Sequence, residues 1–457
     1  MKTGSALRED ALAIWEAGVA AVDSARLVRG NLECTTDKLA IAGEEFSLAE
    51  VDRVIVVGTG KAGAGMAGAV EECLEPILGD RLSGWVNVPA DCVRPLKRIH
   101  LYAARPAGVN EPTEEGVAGA QEILKRVRSA TERDLVLVLI SGGGSALLPA
   151  PVSGISLADK QDVTRFLASA GAPIEELNQV RRTLSEIKGG GLARAAKRAK
   201  TIVSLIISDV IGDPLDVIAS GPTVETYDSS QQALTILEKR TSSERHPPSA
   251  VINWLRVSDQ QHVSDDPFPS QVRNVLIGTN QVALQAAEQE ATARGYRVIS
   301  AGSKNAGEAS EMGVSMMQEL FRQRDANAGD NNPVCYLSGG EPTVTLKPSK
   351  EPSEEPRKGG RNQELVLAGL AWALEKDLQR IVLLSGGTDG EDGPTDAAGG
   401  YVDEEVRQQT IQLKLDPQEY LAMHNSYPFL EETGGLLKTG PTHTNVMDLR
   451  VGLVAQP

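Results

Sequence analysis

Several chemistries are missing from this sequence. Its four cysteines, Cys34, Cys73, Cys92 and Cys335, form no CxxC pair. That excludes a zinc ribbon or dithiol redox motif and argues against a disulfide framework. Cys73 and Cys335 sit in apolar patterns and read as core thiols. The five histidines are scattered, with no HExxH spacing, so no zinc-protease site is encoded. Neither GxxxxGK[ST] nor GxSxG occurs, which removes the P-loop and the serine-hydrolase elbow. No apolar run approaches the roughly 20 residues of a membrane span. The first residues, MKTGSALRED, lack a signal-peptide core and carry acids early, so the expected location is cytoplasmic, with no membrane partner. Positive charge is also short: 46 Lys and Arg against 62 Asp and Glu leave a net charge of −16. A nucleic-acid partner would need a basic face and is not expected. Small anionic ligands stay open, because a local site can be positive inside an acidic protein.

What is present is a set of apolar runs that end in glycine or acid. The most prominent is 379–400, QRIVLLSGGTDGEDGPTDAAGG. A buried strand stops there at Ser385-Gly386-Gly387, and Asp389, Glu391, Asp392 and Asp396 follow in glycine turns. The runs 53–61 (RVIVVGTGK), 134–145 (DLVLVLISGGGS), 201–213 (TIVSLIISDVIGD) and 334–341 (VCYLSGGE) end the same way. Ligands of open α/β sheets bind beyond the carboxyl ends of strands, so these exits are expected to form one extended site.

The 457 residues favour two domains or more. The expectation is an α/β protein with two domains, each a mostly parallel sheet flanked by helices. The larger, 1–262, is Rossmann-like; the smaller spans 263–457. The boundary is placed in 259–271, which is polar and acidic with two prolines. A new βαβ unit is expected to begin with a strand at 274–277. A second polar, proline-rich stretch, 348–360, reads as a mobile loop.

Several charged groups sit where anions bind. Gly58, Gly60 and Gly63 match GxGxxG, but the following strand ends at Pro89 without the acid that a dinucleotide site wants. What remains is a glycine turn at a helix N-terminus with Lys61 beside it, an anion site by amides and dipole. Ser141, Gly142, Gly143, Gly144 and Ser145 offer amides and hydroxyls to phosphate. The helix 174–187 carries Asn178, Arg181, Arg182 and Ser185, followed by Lys188, Gly189 and Gly190. That is a second anion candidate, or simply a glycine C-cap with solvated basic residues. Arg361 and Asn362 open an apolar helix after Gly359-Gly360; a guanidinium there can grip phosphate or carboxylate at two points. Thr444 and Asn445 follow a glycine turn and read as site-facing, or as a hairpin. Asp209, Asp213, Asp389 and Asp396 are the candidate magnesium ligands or catalytic acids.

Together these stretches resemble class II glycerate kinases of the animal type, with an N-terminal glycerate-kinase domain and a C-terminal MOFRL domain at about 333–453. The resemblance rests on VVGTGKAGAGMA, LVLISGGGSALLPAP, LNQVRRTLSEIKGGGLA, SDVIGDPLDVIASGPT, LSGGEPTVTL, GGRNQELVLAGLA, LLSGGTDGEDGPTDAAGG and TGPTHTNVMDL, in family order across nearly the whole chain. One departure is a short region between the domains, where animal members carry longer inserts. The resemblance implies ATP-dependent phosphorylation of D-glycerate at the 2-hydroxyl, with Mg²⁺, at a site between the two domains. It implies that the lysine of the GKA turn and the arginine of GGRNQE, here Lys61 and Arg361, are essential. Asp209 and Asp389 would hold metal or orient the hydroxyl; Arg181 and Lys188 would hold glycerate carboxylate or ATP phosphates. Two other readings are a nicotinamide-dependent reductase and a non-catalytic sugar-phosphate or nucleotide sensor. The sequence leaves monomer and homodimer open.

Overall fold

The computed structural model describes residues 4–109, 111–242, 245–260, 268–326, 332–346 and 357–455. The central part of the expected boundary, 261–267, lies outside the described residues, as does most of the expected loop, 347–356. The chain forms two compact units, Ser24–Ile277 and a second that joins Met1–Asp23 to Gly278–Pro457.

The first unit opens with an antiparallel meander of β1 (Leu32–Cys34), β2 (Lys38–Ile41) and β3 (Glu44–Ser47). Its main sheet contains β4 (Arg53–Thr59), β5 (Leu82–Pro89), β6 (Ile99–Arg105), β7 (Asp134–Ile140), β8 (Thr201–Ile207) and β9 (Val272–Gly278). The order is β6-β5-β4-β7-β8-β9. The pairings β4–β5, β5–β6, β4–β7 and β7–β8 are all parallel. Every residue of β7 is buried, as expected of a parallel strand covered by helices on both faces. The chain runs outward from β4 to β5 and β6, then returns to β7 on the other side. The carboxyl ends of β4 and β7 therefore flank the point where strand order reverses, the usual ligand crevice of such sheets.

The strand expected to open a second βαβ unit is β9, and it hydrogen-bonds at the edge of the first sheet instead. The first helix, Gly4–Ala21, also belongs elsewhere than expected. Its stripe of Leu7, Ala11, Ile14 and Trp15 packs with Leu284, Ala287 and Tyr296 in the second unit's core. The buried Asp10 accepts a 2.6 Å hydrogen bond from the Tyr296 hydroxyl. The stripe was legible as apolar; its partners, more than 250 residues away, were not.

The second unit holds β10 (Arg297–Ser300), β11 (Val334–Gly340), β12 (Ile381–Gly387), β13 (Gly399–Val402), β14 (Leu436–Leu437) and β15 (Asp448–Val454). The order is β10-β11-β15-β12-β13-β14. Only β10–β11 is parallel; the other pairings are antiparallel. The sheet is thus mixed rather than mostly parallel. The reason is β15, the last strand, which inserts antiparallel between β11 and β12. A run of seven buried residues reads the same in either direction, so the sequence could not show it.

Candidate active site

Two clusters form, one in each unit. In the first unit, the turn after β4 lies against the loop after β7. Gly58 and Gly60 make this approach feasible. A Cβ at Gly58 would sit 2.6 Å from the Leu139 carbonyl oxygen, and one at Gly60, where φ is +132°, would sit 2.1 Å from Ser141 Oγ. The Lys61 amide donates to the Gly142 carbonyl at 2.9 Å. Ser141 Oγ accepts from the Ala62 amide at 3.1 Å, so its hydroxyl serves the start of the helix Gly63–Leu78. Gly143 adopts φ +73°, and its amide donates to Asp209 Oδ2 at 3.2 Å. The Gly144 carbonyl accepts from the Thr59 hydroxyl at 3.1 Å. Lys61, the serine-glycine loop and Asp209 are thereby brought together.

Two residues further on, Ser145 is the meeting point of a cationic group. Lys188 Nζ donates to Ser145 Oγ at 2.7 Å and to its carbonyl at 3.0 Å. Arg181 Nη2 donates to the same hydroxyl at 3.1 Å. Lys160 Nζ donates to the carbonyls of Leu184 and Arg181 at 2.8 and 3.3 Å. Lys160, Arg181, Lys188 and Ser145 line a cavity of about 370 Å³, closed by Pro149 and Leu157. Burial pushes the Lys160 ammonium down to about 7, and the positive Arg181 adds to the shift. Burial, then Arg181 and Lys160, push Lys188 well below the usual lysine range. Burial also lowers Arg181.

Other predicted residues of this unit fall differently. Asn178 is buried one helical turn before Arg181. Arg182 faces away and pairs at two points with Asp228, at 2.6 and 2.9 Å. The amides of Gly189 and Gly190 donate to the carbonyls of Ser220 and Gly221, so they brace the Lys188 turn. Asp213 sits at φ +57°, and its Oδ1 is buried with no hydrogen-bond partner among the described residues.

In the second unit, Arg361 starts the helix Arg361–Ala373. Its Nε and Nη2 donate to the two oxygens of Asp448 at 2.6 and 2.9 Å, and Nη1 lies 2.9 Å from Glu341. Burial works against the Arg361 charge, but Asp448 and then Glu341 outweigh it and raise its pKa. Asp392 accepts the Asn362 and Gln363 amides at 3.1 and 2.9 Å, capping the helix. Gly360 permits this, because a Cβ there would meet Asp392 Cγ at 2.2 Å. Asn362 is fully buried: its Nδ2 donates to Asp392 and its Oδ1 accepts from Ser385. Asp389 Oδ1 accepts from the Glu391 amide. Asp396 is exposed and accepts from Tyr427 and Lys438 at 2.6 and 3.1 Å. Thr444 is buried and donates to the Val22 carbonyl at 2.5 Å, and Asn445 Oδ1 accepts from the Met447 amide.

The sequence reading missed Lys160, Glu341, Asp448 and Arg450. Asp448 closes the TNVMD stretch directly before an apolar strand, which was a usable signal. Arg450 is fully buried on β15, and both its terminal nitrogens have no partner among the described residues. Among the described residues no cluster of three His, Cys, Asp or Glu side chains could hold a metal ion. The oxygens of Asp209 and Asp213 nonetheless fit a hard cation: both are carboxylates on one loop, and Asp213 Oδ1 is buried without a donor. No helix among the described residues is long and apolar enough to cross a membrane.

Comparison with known proteins gives the following. Residues 10–256 match a domain of unknown function, DUF4147, and residues 334–448 match the MOFRL family. A glycerate kinase of Danio rerio is 38% identical, with 98% of both chains covered. A glycerate 2-kinase of Pyrococcus horikoshii is 36% identical, covering 98% of this chain and 97% of that one. The crystal structure of a glycerate kinase from Thermotoga maritima superposes with a TM-score of 0.82 at 34% identity, over 99% of this chain and 100% of that one.

Proposed function

Because the chain belongs to the glycerate kinase family, in which a DUF4147 domain is joined to a MOFRL domain, we propose that it transfers the γ-phosphoryl group of ATP to the 2-hydroxyl of D-glycerate. The products are 2-phospho-D-glycerate and ADP. The observation that carries this reading is similarity over nearly the full length to relatives named glycerate 2-kinase, at 36–37% identity. Neither a reductase nor a non-catalytic sensor gains support from it.

Phosphoryl transfer has a loose transition state that asks for positioning and charge neutralisation more than covalent help. Lys61, whose backbone amide donates to the Gly142 carbonyl between the turns of β4 and β7, is proposed to meet phosphate charge with its ammonium. The Arg361 guanidinium is oriented by Asp448 and is proposed to act on the same kind of charge, with Glu341 as the partner it exchanges. Asp209, fixed by the Gly143 amide, is the group proposed to orient the attacking hydroxyl. A bound Mg²⁺ would neutralise phosphate oxygens. In the first unit Asp209 and Asp213 are its proposed oxygen donors; in the second, Asp389 is the candidate, whereas Asp396 is already paired with Lys438.

The test is ADP release with ATP and Mg²⁺ across a panel of small hydroxy acids, with phosphorus NMR of the product. Glycerate-dependent turnover with phosphate on C2 is expected. 3-Phosphoglycerate as the sole product would overturn the assignment of position, and no turnover with glycerate would overturn the reaction.

A further inference from the structure

The reaction needs a phosphoryl site, but the first unit holds more buried positive charge than Lys61 alone. Lys160 and Lys188 are 9% and 5% exposed. Among the described residues no acidic charge acts on Lys160, Arg181 or Lys188; the charge acting on Lys160 is that of Arg181, and those acting on Lys188 are of Arg181 and Lys160, all positive. Buried charges are ordinarily paired. The exposed Glu111 also lines the cavity but is not among the charges that act on these three groups; an anionic ligand would supply their counter-ion and hold the two lysines, whose pKa values burial lowers, protonated.

The donor geometry says which part of a ligand. An ammonium has three N–H donors. Lys160 and Lys188 each use two on protein oxygens, so each has one left. Arg181 uses one side-chain donor, on Ser145, and keeps the rest of a planar fork that matches a carboxylate. The cavity, about 370 Å³, is at the small end of the roughly 300–1,000 Å³ typical of ligand pockets, which suits a small acid better than a nucleotide. Gln161 and Thr164 add neutral hydrogen-bonding groups to its wall, as a polyhydroxy acid would use.

The placement agrees. A Cβ at Gly143 would lie 3.5 Å from Lys61 Cγ. Ser145 is two residues along, at most about 7 Å of chain. The chain thus lies beside Lys61 at Gly143 and lines the cavity at Ser145.

We infer that the Lys160–Arg181–Lys188 cavity on Ser145 is the carboxylate pocket of the hydroxy-acid substrate. Lys160, which lies in none of the stretches that mark the family resemblance, is a specificity-determining residue there. This rests on the proposed glycerate kinase reading and assigns its acceptor subsite. The pocket explains why the acceptor is an acid: glycerol or glyceraldehyde would leave three buried cations without a counter-ion.

The experiment uses the full chain and two variants, Lys160→Gln and Arg181→Gln. Lys160→Gln keeps a donor for the Leu184 carbonyl, and Arg181→Gln leaves Lys160 and the two backbone carbonyls it braces in place, so a folding defect in one leaves the other readable. KM for D-glycerate and for ATP are measured separately. Thermal protection is measured without ATP, using D-glycerate, glycolate, glycerol and inorganic phosphate. The expected result is a glycerate KM raised by roughly tenfold or more, the scale of losing a charge-assisted hydrogen bond, with the ATP KM within about twofold. Carboxylates should protect the parent protein, glycerol should not, and the protection should fade in both variants. An unchanged glycerate KM in both variants would overturn the inference, as would an ATP KM that rises equally. Protection by phosphate but not by carboxylates would overturn it too. Should the parent protein fail to phosphorylate glycerate while Lys160-dependent protection by carboxylates persists, the reaction assignment falls and the pocket stands.

Discussion

Arg361 and Asp448 make a two-point guanidinium–carboxylate pair, 2.6 and 2.9 Å, with the Asp448 side chain fully buried at the start of β15. The pair fixes the plane of the guanidinium, which an isolated loop arginine could not do. It also ties the first turn of the helix Arg361–Ala373 to the central strand of its sheet. Asp448→Ala should therefore unfold the second unit more easily, by about 1–3 kcal/mol, less than a fully buried pair would lose, because Arg361 is 35% exposed and keeps Glu341. Chemical denaturation measures this. Asp448→Asn, which keeps an acceptor for the guanidinium, should cost less; equal stability of Asp448→Ala and the parent would show that the pair is not structural.

Lys61→Ala and Arg361→Ala should each lower kcat by about two orders of magnitude or more, as when one electrostatic stabiliser of a transition state is removed. They should differ in stability. Lys61 borders glycine turns, so its loss should leave the melting temperature near that of the parent. Arg361→Ala strands a buried carboxylate and should melt earlier. Near-normal turnover in either variant would remove that residue from the mechanism.

This difference marks how far the sequence could be read. Lys61, Ser145 and Lys188 were legible because glycines or strand ends adjoin them, and such neighbours mean an exposed backbone near a ligand; Arg181 was legible only as one of several polar residues on the helix leading to Lys188. Lys160 was not, because a lysine on an amphipathic helix reads as solvated and only tertiary packing buries it. Arg361 read as the opening residue of a helix after two glycines, which it is, but nothing local reveals a partner 87 residues away. Asn362 and Thr444 looked site-facing by composition, yet their polar atoms are spent on Ser385, Asp392 and Val22. The apolar runs gave the strands, and the parallel order of the first sheet follows from helices between them. The antiparallel insertion of β15 has no local signature.

Asp392 should give the folded state an unusual acid dependence. Burial, reinforced by the Asp448 charge, outweighs the Asn362 and Gln363 amides and pushes its carboxyl from 3.8 up to about 7. The folded protein then binds a proton that the unfolded chain releases between those values. Stability linked to this group is full below about pH 4 and is lost as pH rises to about 7. Asp392→Asn should flatten that slope in denaturation midpoints taken across the interval. A slope unchanged by the substitution would assign it to other groups.

Asp213 separates a metal role from a structural one. Its Oδ1 is buried without a donor among the described residues, and its backbone is left-handed at φ +57°. An unsatisfied buried acceptor costs about 1–3 kcal/mol, and a side chain other than Gly, Asn or Asp is strained in that backbone region. A bound cation would supply the missing partner. Asp213→Asn tolerates the same backbone and carries no charge to desolvate. In chelator, the variant should be as stable as the parent or slightly more so. Magnesium should raise the melting temperature of the parent and fail to raise that of the variant, and the Mg²⁺ concentration for half-maximal activity should increase. A variant that is destabilised in chelator, with an unaltered magnesium response, would make Asp213 a structural acid of its loop and remove it from the metal site.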